Sequence, residues 1–260
     1  LQFGDKMIVS LLHGGLGNQM FQIACGYAYA KKHGMDWAVN FQLSNCPNQG
    51  NQASVYQNSF YRKIPSTDLV PKQMYNEPRF GYNEIPAVNG DCLFRGYFQT
   101  EKYFDGWQSE VKDLFEFPVE VKDNVETFID DLPKPVLGIH IRRGDYVKFK
   151  NIHTKCGVDY YTKASKIVGG YGSSVVCSDD WASVEAEMNF SSARQSPFKN
   201  ELEDMYFLSR CDSLVLCNSS FSWWGSFLGN ASNIIMTKHW FANKPFEEFK
   251  DVFRDGWILI

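Results

Sequence analysis

A short apolar run, a polar turn, a helical segment and another apolar run recur along most of the 260 residues, and this alternation leaves few folds open. Met7 to Leu12 is almost continuously apolar, the pattern of a strand buried on both faces in a parallel sheet. A turn follows, His13-Gly14-Gly15-Leu16-Gly17-Asn18. A helix is expected from about Gln19 to His33, with Phe21, Ala24, Cys25, Ala28 and Tyr29 at helical spacing and Gly34 as its C-cap. Trp37 to Phe41 reads as a second strand. From Gln42 to about Asn89 the pattern gives way to Asn, Gln, Ser and Pro, and extended loops with short elements are expected. Cys92 to Tyr97 is a strand, Glu101 to Phe115 a helix and Asn124 to Asp130 a further helical piece.

Leu132-Pro133-Lys134-Pro135 interrupts regular structure and marks a boundary, because proline fixes φ and donates no N–H. Beyond it the alternation restarts. Strands are expected at Val136 to Arg142, Ser173 to Cys177, Ser213 to Cys217 and Asn233 to Met236. Helices are expected at Val158 to Gly169, Glu201 to Cys211 and Ser222 to Leu228. The chain therefore reads as two α/β domains, residues 1–131 and 132–260, doubly wound and facing each other across a cleft.

Composition narrows the partners. A formal net charge of -4 gives no basic face for nucleic acid or an anionic membrane, so any anion site must be local. No apolar run reaches the roughly 18 residues that span a bilayer. The chain begins at Leu1, not at methionine, which leaves an upstream anchor open. The seven cysteines are odd in number and form no C-x-x-C pair; Cys177 and Cys217 lie inside apolar runs. They read as small buried hydrophobes of a reducing compartment, with no disulfide frame and no zinc site.

Gly15-x-Gly17 between a strand and a helix invites a dinucleotide fingerprint, but Met20 stands at the third glycine position and Asn40 where an acidic residue is required. What remains is a turn that either carries an anion at the following helix N-terminus, with Asn18 and Gln19 as neutral donors, or only connects strand to helix. More informative is Val136-Leu137-Gly138-Ile139-His140-Ile141-Arg142-Arg143-Gly144-Asp145-Tyr146. An apolar strand here delivers His140, Arg142, Arg143 and Asp145 at its C-terminal end, where open α/β sheets bind ligands. Alternation puts His140 and Arg142 on one face and Arg143 on the other. Guanidinium forks suit a diphosphate, and a fixed cation stabilises a nucleoside diphosphate leaving group without a metal.

His140-x-Arg142-Arg143-x-Asp145 resembles the signature of the alpha-1,2, alpha-1,6 and protein O-fucosyltransferase superfamily. Gly14 to Phe21, Gly96 to Phe104, Ser178-Asp179-Asp180, Asp204-Met205-Tyr206 and Asn218 to Gly225 resemble its alpha-1,2 branch, family 11 of the glycosyltransferases, in family order. The resemblance implies a GT-B-like architecture of two Rossmann-like domains, the first on the acceptor side and the second binding the donor. It implies an inverting, metal-independent transfer of fucose from GDP-fucose to the 2-hydroxyl of a terminal β-galactoside, with no cofactor. Arg142 would then hold the β-phosphate, supported by Arg143 and Asp145. His140 and Asp204 would reach the guanine, Ser219, Ser220 and Phe221 the diphosphate, and Asn18 would close over the donor. Each has a plainer alternative: Asp204 and Ser219 as helix-end residues, Trp223 and Trp224 as core, Asp179 and Asp180 as caps.

The catalytic base stays open among Asp145, Glu101 and Asp91. Another acceptor, linkage or GDP-sugar remains the alternative, as does an inactive glycan- or nucleotide-binding protein. A lipid-linked or surface glycan acceptor would bring the chain to a membrane only peripherally. The sequon at Asn218 lies inside the diphosphate turn, where a glycan would block binding. With the unpaired cysteines, this favours the cytoplasm of a microbe, or an enzyme encoded by its virus.

Overall fold

The computed structural model describes residues 6–44, 50–144, 154–188 and 193–260. They form an α/β protein with two separate, wholly parallel sheets. Two compact units result, one of Leu1–Pro118 with Glu248–Phe253 and one of Val119–Glu247 with Arg254–Ile260.

In the first unit β1 (Met7–Ser10), β2 (Asp36–Val39), β3 (Gln73–Asn76) and β4 (Cys92–Arg95) lie in the order β2-β1-β4-β3. Ile8 and Val9 are fully buried, as a strand covered on both faces requires. Helix α1 (Leu16–His33) packs on β1 and ends at Gly34, whose left-handed φ of 64° lets its N–H reach back to the last carbonyls. The stretch expected to be one helix is broken. A 3-10 turn, Glu101–Phe104, is capped by Thr100, and α2 (Gln108–Leu114) begins after Gly106, whose φ is 82°. A cluster of Phe60, Tyr61, Phe115 and Phe117 closes the core beside this sheet.

The second unit holds β5 (Val136–Ile141), β6 (Ser173–Ser178), β7 (Arg194–Gln195), β8 (Ser213–Leu216), β9 (Asn233–Met236) and β10 (Ile258–Leu259). Their order is β10-β9-β8-β5-β6-β7. Read from β7 by order of appearance this is the 3-2-1-4-5-6 of a doubly wound dinucleotide fold, with its reversal between β5 and β8. Among the described residues five helices accompany it: α3 (Val119–Asp130), α4 (Val158–Val168), α5 (Trp181–Glu187), α6 (Glu201–Arg210) and α7 (Ser220–Leu228).

Leu137, Ile139 and Ile141 of β5 enter one core cluster with Tyr161, Ala164 and Val184 of α4 and α5. Gly138 and His140 point to the other face, toward Leu208 of α6 and Ser222 of α7. The division between units falls before α3, because α3 is bound to α6. Asn124 Nδ2 donates to Glu203 Oε1 at 3.0 Å, Tyr206 Oη to Glu126 Oε1 at 2.7 Å, and Arg210 pairs with Glu126 at 2.7 Å. Burying α3's Val121, Val125 and Ile129 adds a hydrophobic term of about 1.5–3 kcal/mol per side chain.

Candidate functional site

The chemistry gathers at the reversal between β5 and β8, where the two neighbouring connections leave in opposite directions and open a crevice. At the end of β5 the chain places Arg142, Arg143 and Gly144. At the end of β8 it places Cys217, Asn218 and Ser219, and α7 begins at Ser220. Ser219 caps that helix: its Oγ accepts from Phe221 N at 3.3 Å. The helix start offers backbone N–H groups and a partial positive charge to an anion.

The two arginines separate completely. Arg142 is partly exposed, and its Nε lies 3.2 Å from Asp179 Oδ2. Asp179 follows β6 and also accepts from Arg143 N through Oδ1 at 2.8 Å, so one carboxylate fixes the turn and aims the guanidinium. Gly144 makes room for it, since a Cβ there would stand 2.4 Å from Asp179 Oδ2.

Arg143 is 0% exposed. Its Nη2 donates to Cys156 O at 2.9 Å, its Nη1 to Arg142 O at 3.0 Å, and its Nε to Glu187 Oε2 at 3.0 Å. A buried charge persists only when paired and hydrogen-bonded, and here every arm of the fork is engaged inside the unit. Lys155 adds a second cation on Glu187, lowering that carboxyl's pKa together with Arg143.

His140 is buried on β5, with Nδ1 against Ser222 Oγ, Cys217 Sγ 3.4 Å away and the Phe221 ring centroid at 5.0 Å. Burial, aided by the Arg142 charge, lowers its pKa to about 3, so the ring is neutral at physiological pH. Asp204 sits in the first turn of α6, beside Cys177, the cross-strand partner of His140. It accepts from Ser196 Oγ at 2.5 Å, and burial raises its pKa to about 6. His140 and Asp204 thus reach the same edge of the sheet, while Ser219, Ser220 and Phe221 face them from the β8 side.

Sequence reasoning left Asp179 and Asp180 between two roles, nucleotide or cap. Asp180 is the cap, accepting from Ser183 N at 3.1 Å, and Asp179 holds Arg142. Trp223 and Trp224 are fully buried core residues. Asp145 lies outside the described residues. Asn218 is 1% exposed, and its Nδ2 donates to Trp240 O at 2.8 Å, so this sequon faces inward.

Asn18 belongs to the first unit, where its Oδ1 accepts from Gln99 Nε2. Gln19 is buried, and its amide donates to Gly14 O at 2.9 Å and Asn51 O at 3.0 Å. Glu101 lies partly exposed in the Thr100-capped turn. Asp91 receives Met7 N at 2.8 Å and precedes β4, which places it at the N-terminal edge of the sheet, away from the edge where ligands bind.

Among the described residues no group of three or more His, Cys, Asp or Glu side chains is arranged to hold a metal ion, and no helix is long and apolar enough to cross a membrane. The six described cysteines are buried and free of disulfides.

Residues 77–260 match the family model of glycosyl transferase family 11. The chain belongs to glycosyl transferase family 11. An alpha-1,2-colitosyltransferase of Escherichia coli is 26% identical to this family 11 member over 98% of the chain and 99% of its own length. A galactoside alpha-(1,2)-fucosyltransferase 2 of Oryctolagus cuniculus is 23% identical over 90% of the chain and 70% of its own length. The crystal structure of the fucosyltransferase NodZ from Bradyrhizobium shares the fold, with a TM-score of 0.59 and 13% identity over 89% of this chain and 94% of that one. The GT-B-like expectation of two Rossmann-like α/β units therefore holds.

Proposed function

We propose that this family 11 enzyme transfers a sugar, fucose first among the candidates, from a GDP-sugar to a glycan hydroxyl with inversion, and that Arg142 meets the charge of the departing GDP. One observation carries the reading. An Asp179-aimed, solvent-reached guanidinium stands at the end of β5, and the N-terminus of α7 begins just beyond the adjoining β8. Both are anion-binding devices, and a diphosphate needs both.

In the proposed step the acceptor oxygen bonds to the anomeric carbon while the bond from that carbon to the β-phosphate oxygen breaks. The electron pair leaves on GDP, where a preorganised cation stabilises it most. The acceptor's proton passes to a base, for which Asp145 and Glu101 are the candidates. His140 and Asp204 are assigned to the guanine, Ser219, Ser220 and Phe221 to the diphosphate. Arg143 supports the donor indirectly by fixing the turn that carries Arg142. Asn18 enters the donor set only through the resemblance of its glycine turn.

The narrower reading is a galactoside 2-alpha-L-fucosyltransferase, supported by the relative named a galactoside alpha-(1,2)-fucosyltransferase 2. The relative named a colitosyltransferase keeps a second donor sugar in play, and the donor is the first thing to test. Incubation with GDP-fucose, with and without lactose, followed by mass spectrometry and NMR, is expected to give alpha-1,2-fucosylated lactose. GDP release without product would move the assignment to another acceptor. Absence of turnover together with absence of GDP binding in calorimetry would defeat the transferase reading.

A further inference from the structure

In the first unit a second cluster of side chains occupies the C-terminal ends of β1, β3 and β4. Glu77, just past β3, organises it. Its Oε2 accepts from Tyr97 N at 2.7 Å and from Phe98 N at 3.0 Å, and its Oε1 from Tyr103 Oη at 3.2 Å. Its own N–H donates to Arg95 O at 2.8 Å.

The turn held this way is unusual in its backbone. Phe98 is the one non-glycine residue with positive φ, 51°, among those described, and a Cβ on Gly96 would meet Glu77 Cβ at 2.4 Å. Such a conformation persists only where its surroundings over-determine it. Its effect is to send Phe98 into the core, 0% exposed, and to leave Tyr97 on the surface, 38% exposed. Tyr97 rests on the His13 ring, centroids 4.8 Å apart. His13 is in turn clamped by buried Gln22, whose Oε1 accepts His13 N at 2.9 Å and whose Nε2 donates to His13 O at 3.1 Å.

An exposed aromatic ring that is backed, braced and placed at the C-terminal ends of a parallel sheet is built to receive a ligand face. The groups around it are the neutral amides of Asn18 and Gln99, with Arg95 exposed beside them and the Glu77 carboxylate already engaged by the turn. They suit an uncharged, hydroxyl-rich molecule better than a phosphate. We propose that Tyr97 is the platform for the acceptor sugar, a galactose-type pyranoside laying its apolar ring face on it, with Glu77 and His13 as positioning residues. This rests on the transferase reading above and assigns its acceptor to a named surface of the first unit.

The test is saturation-transfer NMR of methyl β-galactopyranoside on the GDP-saturated protein, alongside calorimetry of GDP. Wild type is expected to saturate the ring hydrogens of one sugar face. Tyr97→Phe should keep this, and Tyr97→Ala should weaken binding about ten-fold, about 1.4 kcal/mol, at the upper end of an aromatic contact. GDP affinity should stay within about two-fold in both variants, which a general loss of structure would not allow. Glu77→Ala should weaken the sugar signal with GDP binding kept. Equal signals in wild type and Tyr97→Ala, or no sugar signal in GDP-bound wild type, overturn the platform alone. Failure of wild type to bind GDP overturns the transferase reading and this one with it.

Discussion

Replacing Asp179 by Asn keeps the shape of the side chain and removes the charge that aims Arg142. The 3.2 Å pair would be worth about 5 kcal/mol at an effective dielectric of 20. Both side chains are about a quarter exposed, at 26% and 23%, so solvent reduces the net contribution to about 1 kcal/mol. The 2.8 Å bond from Arg143 N survives on the amide oxygen but loses its charge assistance, costing about another 1 kcal/mol. The Asn nitrogen then faces Arg142 Nε donor to donor, so this contact no longer directs the guanidinium.

A fully aligned charge donor at a transition state is worth about 2.7–4 kcal/mol, and loss of alignment without loss of charge forfeits about half of it. Turnover should therefore fall about 10- to 30-fold. Ground-state GDP affinity should hold within about three-fold, since removing Asp179 also removes a negative charge beside the phosphates. Steady-state GDP release, calorimetry and urea unfolding read the three quantities separately. Turnover within about two-fold of wild type would refute the aiming role, and so would parallel losses of turnover and GDP affinity.

Three further outcomes are expected. Arg142→Ala should lower turnover about 100- to 1,000-fold with an unchanged circular dichroism spectrum, and Arg142→Lys should recover only part of it, because a point charge cannot replace the fork. Arg143→Met should act on stability instead, costing about 2–3 kcal/mol in urea melts, because Cys156 O and the Arg142 carbonyl lose their donors. Asp204 titrates near 6 when folded and near 3.8 when unfolded, so the folded state holds the extra proton between those values. Its contribution is complete below 3.8 and is lost as pH rises through 6, at most about 3 kcal/mol and about 1–2 where water still reaches the carboxyl. Asp204→Asn should flatten that part of the pH–stability curve and raise stability at neutral pH while weakening GDP binding; a neutral-pH stability below wild type would contradict it.

The buried strands were legible because continuous apolar runs between turns admit little else: β9 falls on the expected Asn233–Met236, and β1, β5, β6 and β8 start where the runs do. β3, β7 and β10 escaped because they are edge or near-edge strands with mostly exposed side chains, so no burial pattern marks them. Helix α5 escaped because its signal is the Asp180 cap, and Asp179-Asp180 read equally well as a ligand pair. The site was legible as a set of residue types at a strand end. Its division of labour was not, because alternation assigns Arg142 and Arg143 to opposite faces without saying which face is solvent. That is decided by distant partners, Glu187 and Cys156 for one and Asp179 for the other.

This division explains why two arginines stand together at all. A single guanidinium at a strand end would have to be both anchor and ligand, and a fork buried on its anchors cannot reach a phosphate. With Arg143 spent entirely on the interior, the turn it fixes presents Arg142 at a set position, and Asp179 sets its direction. The cost of ordering a long side chain is then met in folding rather than at the moment of binding, which is what preorganisation requires. The first unit repeats the device with other chemistry: Glu77 is spent on backbone N–H groups so that Tyr97 is presented. In both units a buried or half-buried charge that touches no ligand itself sets the aim of an exposed neighbour. Substitutions at Arg143 and Glu77 should therefore damage function in proportion to the disorder they bring to Arg142 and Tyr97, since neither side chain meets a substrate directly.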